Sequence, residues 1–363
     1  MLGRSIFTLR VTTARGARDL MTWPVAGGAR LPSQGIYRVA PGGERLAWLD
    51  GRVLRVLDAD GRERKLAEHV SMFRFAPDGK QLVFLERGAV VLADPATGAR
   101  RTLGSIDAQF FIWMEWIRGG VVVAAREKTG EARTITYFPV AVDGAVDGAA
   151  DAKPRLVARH DFHIHRVTGT PSSTRLVWFT AHGIFGGDAL AGEPRLLDGS
   201  YNFDRYLLNA ELAPDASEAV WTDDFGLHRI DATSGRVATI ARAPMQSLWY
   251  SADGRELAYA DQSNAFVRRG DRVTRMLAHT DWGAGVGTAR YRRDAPGLLV
   301  IRNGEALAWN PDGGARERLA RATGVVDADT FRGGMVLIVA RPDPKDPPRI
   351  EDRGLPLLPP LAQ

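Results

Sequence analysis

The chain has 363 residues, is 45% hydrophobic and 25% charged, and carries a formal net charge of +5. No apolar run approaches the roughly 18 residues that a membrane-spanning helix requires, so a helical membrane span is excluded. With no cysteine in the sequence, disulfides, thiol nucleophiles and cysteine-ligated zinc are excluded too.

The basic excess is almost entirely arginine and is scattered. Arg100-Arg101, Arg268-Arg269 and Arg292-Arg293 are short pairs, not the contiguous stripe that tracks a phosphate backbone, so no specific nucleic-acid partner is expected. Met1 to Arg10 lacks the long apolar stretch and small-residue cleavage site of a secretory signal. That places the protein in the cytoplasm if Met1 is the native start, and in the periplasm if a signal peptide is missing.

In chain order, Ile6-Phe7-Thr8-Leu9-Arg10-Val11 and Asp19-Leu20-Met21-Thr22-Trp23, separated by a Thr13-Ala14-Arg15-Gly16 turn, read as two strands. A repeating unit follows, clearest from Ser71 to Ser105. Phe73-Arg74-Phe75, the turn Pro77-Asp78-Gly79, Gln81 to Leu85, Val90 to Ala93, the turn Ala96-Thr97-Gly98 and Arg101-Thr102-Leu103 spell four strands. Pro fixes the first corner, Asp bonds to the backbone beyond it, and Gly supplies the positive φ that reverses the chain. Equivalent first turns stand at Pro41-Gly42-Gly43, Pro214-Asp215-Ala216 and Ala252-Asp253-Gly254. Second turns stand at Ala59-Asp60-Gly61, Thr233-Ser234-Gly235 and Pro311-Asp312-Gly313.

The second strand keeps one register, ending in an aromatic residue at Trp48, Phe84, Trp178, Trp221 and Tyr259, with aliphatic versions at Val121–Val123, Leu298–Val300 and Met335–Leu337. The one long gap, between Val123 and Trp178, holds the low-complexity stretch from Asp143 to Asp151 and reads as a loop insertion. Its Asp143, Asp147 and Asp151 lack the oxygen-ligand pattern of a calcium loop.

A four-stranded sheet apolar on both faces must stack on another, and only radial closure removes the bare ends of such a stack. The sequence therefore predicts an all-β propeller over 1–341 of eight four-stranded blades, its last blade completed by N-terminal strands 5–24 pairing with C-terminal strands 324–341. Seven blades is the alternative, because Phe110, Trp113, Met114 and Ile117 also have helical spacing. Residues 342–363 are rich in proline and read as an extended tail.

The run from Phe75 to Phe84, with its Thr97-Gly98 turn and Arg101-Thr102-Leu103, resembles the WD40-like (PD40) repeats of TolB-type β-propellers. The resemblance implies protein or peptide binding on the propeller faces and in the central channel. TolB itself is similar to a six-bladed propeller, and the count here departs from it.

Polar residues in the loops entering the first strands would converge on one rim. Asp107, Asp161, Asp204, Asp281 and Asp327, with His69, His160 and His279, are the candidates for a divalent metal or a general acid and base. The same residue types also close turns by bonding to nearby backbone. In His160-Asp161-Phe162-His163-Ile164-His165, strand alternation puts His163 and His165 on one face with Asp161 beside them, a candidate metal set lacking an assigned third partner. No Gly-x-Ser-x-Gly elbow or phosphate-binding glycine loop occurs.

These features predict a non-catalytic protein- or peptide-binding module, monomeric and without a cofactor. The alternatives are a metal-dependent propeller hydrolase, lactonase-like, holding a divalent ion, and a propeller subunit gating a separate hydrolase.

Overall fold

The computed structural model describes residues 5–13, 16–25, 37–140, 153–201, 207, 209–243, 245, 247–251, 253–261, 264–277, 286–292, 296–302, 305–310, 316–321, 325–332 and 334–342. Among these, every regular element is a strand, and no helix is long and apolar enough to cross a membrane. The strands form eight four-stranded antiparallel sheets. Blades 1 to 7 are each built from consecutive strands, over 37–67, 70–105, 108–160, 164–198, 209–241, 247–277 and 286–321. The region with ambiguous spacing is a strand, Ala108–Ile117, whose two register shifts against Gly120–Glu127 blur its alternation. The eight-blade count therefore holds and the seven-blade alternative does not.

Blade 8 joins the two ends of the chain. Val325–Phe331 and Gly334–Pro342 supply its inner strands, Ser5–Thr13 and Gly16–Val25 its outer ones. Ser5–Thr13 runs antiparallel to Gly334–Pro342 in unbroken register, from Ser5 opposite Pro342 to Thr13 opposite Gly334. The first strands touch one another in sequence around the whole circle, blade 8 meeting blade 1, so the ring is closed. Residues 143–151, the Pro311-Asp312-Gly313 turn and the tail from 343 lie outside the described residues.

The hydrophobic residues divide into eight clusters, each spanning one pair of neighbouring blades. Period-two alternation of the second strands produces this division. In each, the residue in the aromatic register packs toward the preceding blade: Trp48 on blade 8, Phe84 on blade 1, Trp178 on blade 3, Trp221 on blade 4. The residue one position earlier packs toward the following blade, as Ala47, Val83, Val177 and Val220 do. A blade thus has no solvent face of its own, and fully burying one of these side chains stabilises by about 1.5–3 kcal/mol only when the neighbour is present.

The first turns bring the blades together at one rim. Gly43, Gly79, Ala216 and Gly254 all have positive φ, between 58° and 72°. A Cβ on Gly79 would reach Pro41 and Ala40 of the preceding blade at 3.6–3.7 Å, and one on Gly254 would meet Pro214 at 3.1 Å. Arg332 N donates to Gly43 O at 2.5 Å, and Arg118 N to Ser173 O at 3.0 Å, so the turns are also stitched across the 8/1 and 3/4 seams. The second turns are closed by aspartate. Asp94 accepts from Ala96 N and Asp231 from Thr233 N and Ser234 N, and these bonds hold both carboxyls below their ordinary values against any burial.

Two outcomes follow from this construction. Deleting residues 1–25 removes both outer strands of blade 8 and should replace the single cooperative urea transition, followed by near-UV circular dichroism, with a broad one. The hairpin turn at exposed Arg87 (φ 52°) and Gly88 (φ 89°) requires two left-handed residues, where Asn-Gly is preferred. Arg87→Asn should recover part of the roughly 1–2 kcal/mol that this region costs an ordinary residue, raising the urea midpoint.

Candidate functional site

Register from blade to blade defines which first-strand residues face the channel. The residue opposite the aromatic position points back toward the preceding blade: Tyr37 opposite Trp48, Phe73 opposite Phe84, Val167 opposite Trp178, Ala289 opposite Val300. Its two neighbours along the strand point forward and inward. The position just after it is occupied in turn by Arg38, Arg74, Glu115, Thr168, Glu211, Trp249, Arg290 and Asp329. The position just before it adds Trp113, Arg166, Asn209, Ser247 and Asp327. Four arginines and four carboxylates thus ring the axis, with two tryptophans among them.

These side chains make contacts within blades and across the seams in both directions. Arg74 lies over the Trp113 ring at 5.1 Å, and Arg166 lies over the same ring at 4.2 Å. Trp113 Nε1 donates to Glu115 Oε2 at 3.3 Å, and Glu115 Oε1 accepts from Trp116 N at 3.3 Å. Glu211 Oε2 accepts from Tyr250 N at 3.1 Å, and Ser247 Oγ from Ala289 N at 3.0 Å. Arg290 lies over Trp249 at 5.0 Å, pairs with Asp327 and sits 3.4 Å from Asp329. Tyr37 Oη donates to Asp327 Oδ2 at 3.0 Å and joins blade 8 to blade 1.

Burial sets the electrostatics. Desolvation lowers Arg74, opposed by the attraction of Glu115. It also pushes Arg166 down to about 10, against Glu211 and Glu115. Desolvation acts on Arg290 in the same sense, but Asp327, Tyr37 and Asp329 together outweigh it and hold that guanidinium above its ordinary value. The Asp327 carboxyl is pushed up by burial, with Arg290 pulling it back.

The residues singled out in the sequence are distributed differently. Asp327 enters the channel network, buried in its pair with Arg290. Asp107 is exposed, 3.7 Å from Lys128. Asp161 precedes the strand Ile164–Gly169, is 87% exposed, and lies 3.9 Å from Arg159. His163 and His165 are brought together, their rings 4.6 Å apart and edge to face. His69 is an exposed loop residue with φ 54°. His160 is structural, its Nε2 accepting from Trp178 Nε1 at 3.0 Å while the ring stacks on Phe162. Asp204, Asp281 and His279 lie outside the described residues. Among the described residues no three His, Asp or Glu side chains converge as a metal site.

Sequence reasoning missed Arg74, Glu115, Arg166, Glu211 and Arg290. The available signal was a polar or bulky residue at a constant offset before the first turn, as in Phe73-Arg74-Phe75-Ala76-Pro77 and Ala210-Glu211-Leu212-Ala213-Pro214. It also missed a buried lock in blade 5: the His228 ring, stacked on Trp221, has Nε2 3.1 Å from Asp223 Oδ1 and Nδ1 3.2 Å from Thr239 Oγ1.

Burial lowers His160 and His163 and pushes His165, beside His163, down to about 4. Each is therefore neutral in the fold at a pH where the unfolded chain, near 6.5, already binds a proton. Their contribution to stability is complete above about pH 6.5 and is lost progressively as the pH falls toward 4. The urea midpoint should drop over that window, and His165→Gln should flatten the drop.

No family model and no curated protein matches the chain. Among solved structures it is similar to Saccharomyces cerevisiae Sqt1, with 13% identity, a TM-score of 0.56, and coverage of 84% of this chain and 94% of that one. It is similar as well to a chain of a mitotic checkpoint complex, at 16% identity and TM-score 0.51, covering 78% and 95%. A third is KlHsv2 with loop 6CD replaced by a Gly-Ser linker, at 11% and 0.51, covering 79% and 97%. At such identities the likeness is one of fold, a WD40-like β-propeller.

Proposed function

We propose that this protein is a non-catalytic, monomeric propeller, a single domain over 1–341, that binds a protein or peptide at its channel mouth and rims. One observation carries the reading. The channel carboxylates, which an enzyme would use as acids, bases or metal ligands, are already engaged: Asp327 by Arg290 and Tyr37, Glu115 by an indole and a backbone N–H, Glu211 by Tyr250 N. Such a ring offers a rigid, chemically varied surface and leaves none of these carboxylates poised to react. The Phe75–Phe84 repeat supports a TolB-like assignment, and the protein-assembly setting of similar propellers, such as the checkpoint complex, supports a protein partner.

The His163–His165 pair favours one second reading, a metal-dependent hydrolase in which those rings hold a divalent ion with Asp161 or another group. Elemental analysis separates the two. The binding reading expects no stoichiometric divalent metal in the purified protein. A stoichiometric ion lost in both His163→Ala and His165→Ala would establish the hydrolase reading instead. Pull-down from the native source with the immobilised chain should then retain a stoichiometric protein partner, and a hydrolase as that partner would make the propeller a gating subunit.

A further inference from the structure

Two arginines at the same strand position are treated differently by the channel. At the 7/8 seam, Arg290 has two aspartates as partners. At the 2/3 seam, Arg74 is equally buried, yet among the described residues no carboxylate lies within ion-pair distance of it. Its Nη1 donates to Phe73 O at 3.0 Å, and its guanidinium face rests on Trp113. Glu115 attracts it from further away, but both Glu115 oxygens accept from Trp113 and Trp116.

A buried cation without a direct counter-charge lowers stability relative to an apolar side chain of similar length. Stability alone therefore does not account for Arg74. Stacking on an indole uses the face of a guanidinium and leaves its edge, which is the part that grips a carboxylate or phosphate. Trp113 and Arg166 are only half-buried, so the stack opens to solvent with Arg74 behind it.

We propose that Arg74, seconded by Arg166 across the Trp113 ring, is a recognition site for the carboxylate of an acidic peptide, a side chain or a C-terminus, entering the channel. Charge selects the carboxylate over a phosphate. Arg74 and Arg166 are already matched overall by Glu115 and Glu211, so a contacting group with one negative charge, such as a single carboxylate end, is favoured over a phosphate group that carries up to about two. The proposal rests on the binding reading above and narrows it to one seam.

The test compares thermal midpoints of the full chain and its Arg74→Met and Arg74→Lys variants in sodium glutarate, inorganic phosphate and sodium chloride at matched ionic strength. Without glutarate, Arg74→Met should melt about 2–4 °C above the wild type, the shift typical of a modest stabilisation in a chain this large. Glutarate should raise the wild-type midpoint beyond the chloride control, as a ligand of the native state does, and Arg74→Met should lose that rise. Arg74→Lys should retain only part of it. A lower midpoint or a failure to fold in Arg74→Met would show the cation to be structural and overturn the proposal. So would equal effects of glutarate and chloride, the same glutarate rise in Arg74→Met, or a larger rise with phosphate than with glutarate. A pull-down partner retained by Arg74→Met would leave the binding reading standing while removing this site.

Discussion

A sheet that is apolar on both faces has no stable existence alone, and every other property of this protein follows from that. Each blade hands one set of side chains backward and the other forward, so each hydrophobic cluster belongs to a seam between blades. Stability is then shared around the circle, as in other repeat architectures, with the difference that a ring has no capping repeat. The pairing of Ser5–Thr13 with Gly334–Pro342 takes the place of caps. It converts the two weakest points of a linear array into one more blade.

The same alternation that organises the seams loads the axis. Forward-facing positions of the first strands cannot be filled by eight large apolar groups without overcrowding a narrow centre, and they cannot be left polar without partners. The channel resolves this with arginines, carboxylates, indoles and backbone N–H groups, partnered within a blade or across a seam. The outcome is uneven: charges are closely paired where Arg290 meets Asp327 and Asp329, and more loosely matched around Trp113. A binding face requires that kind of unevenness, because a uniformly satisfied wall has nothing to offer a ligand.

The fold was legible because its signals are redundant. Pro77-Asp78-Gly79 and its relatives, the aromatic register of Trp48, Phe84, Trp178 and Trp221, and the strand pairs at both ends all point to one architecture. The site was far less legible. Arg74 and Glu211 are single polar residues in short strands, and which way they point depends on register shifts such as those at Val70/Met72 and Ile164/Arg166. Asp161 illustrates the same difficulty: alternation aligns it with His163 and His165 only if the strand extends back to it, and the strand begins at Ile164. Asp327 was visible, but its role depends on Arg290 and Tyr37, hundreds of positions away or on another blade, and no local pattern announces such partners.

The sealing blade also imposes an order on biosynthesis. A ribosome releases Ser5–Thr13 and Gly16–Val25 well before their ladder partner Gly334–Pro342, so that hairpin must wait through the synthesis of seven blades with one edge unpaired. An open edge of that kind invites pairing with a neighbouring nascent chain. The cell's folding machinery therefore meets this hairpin half-satisfied well before its partner strand exists, and polysome crowding is the hazard its topology carries.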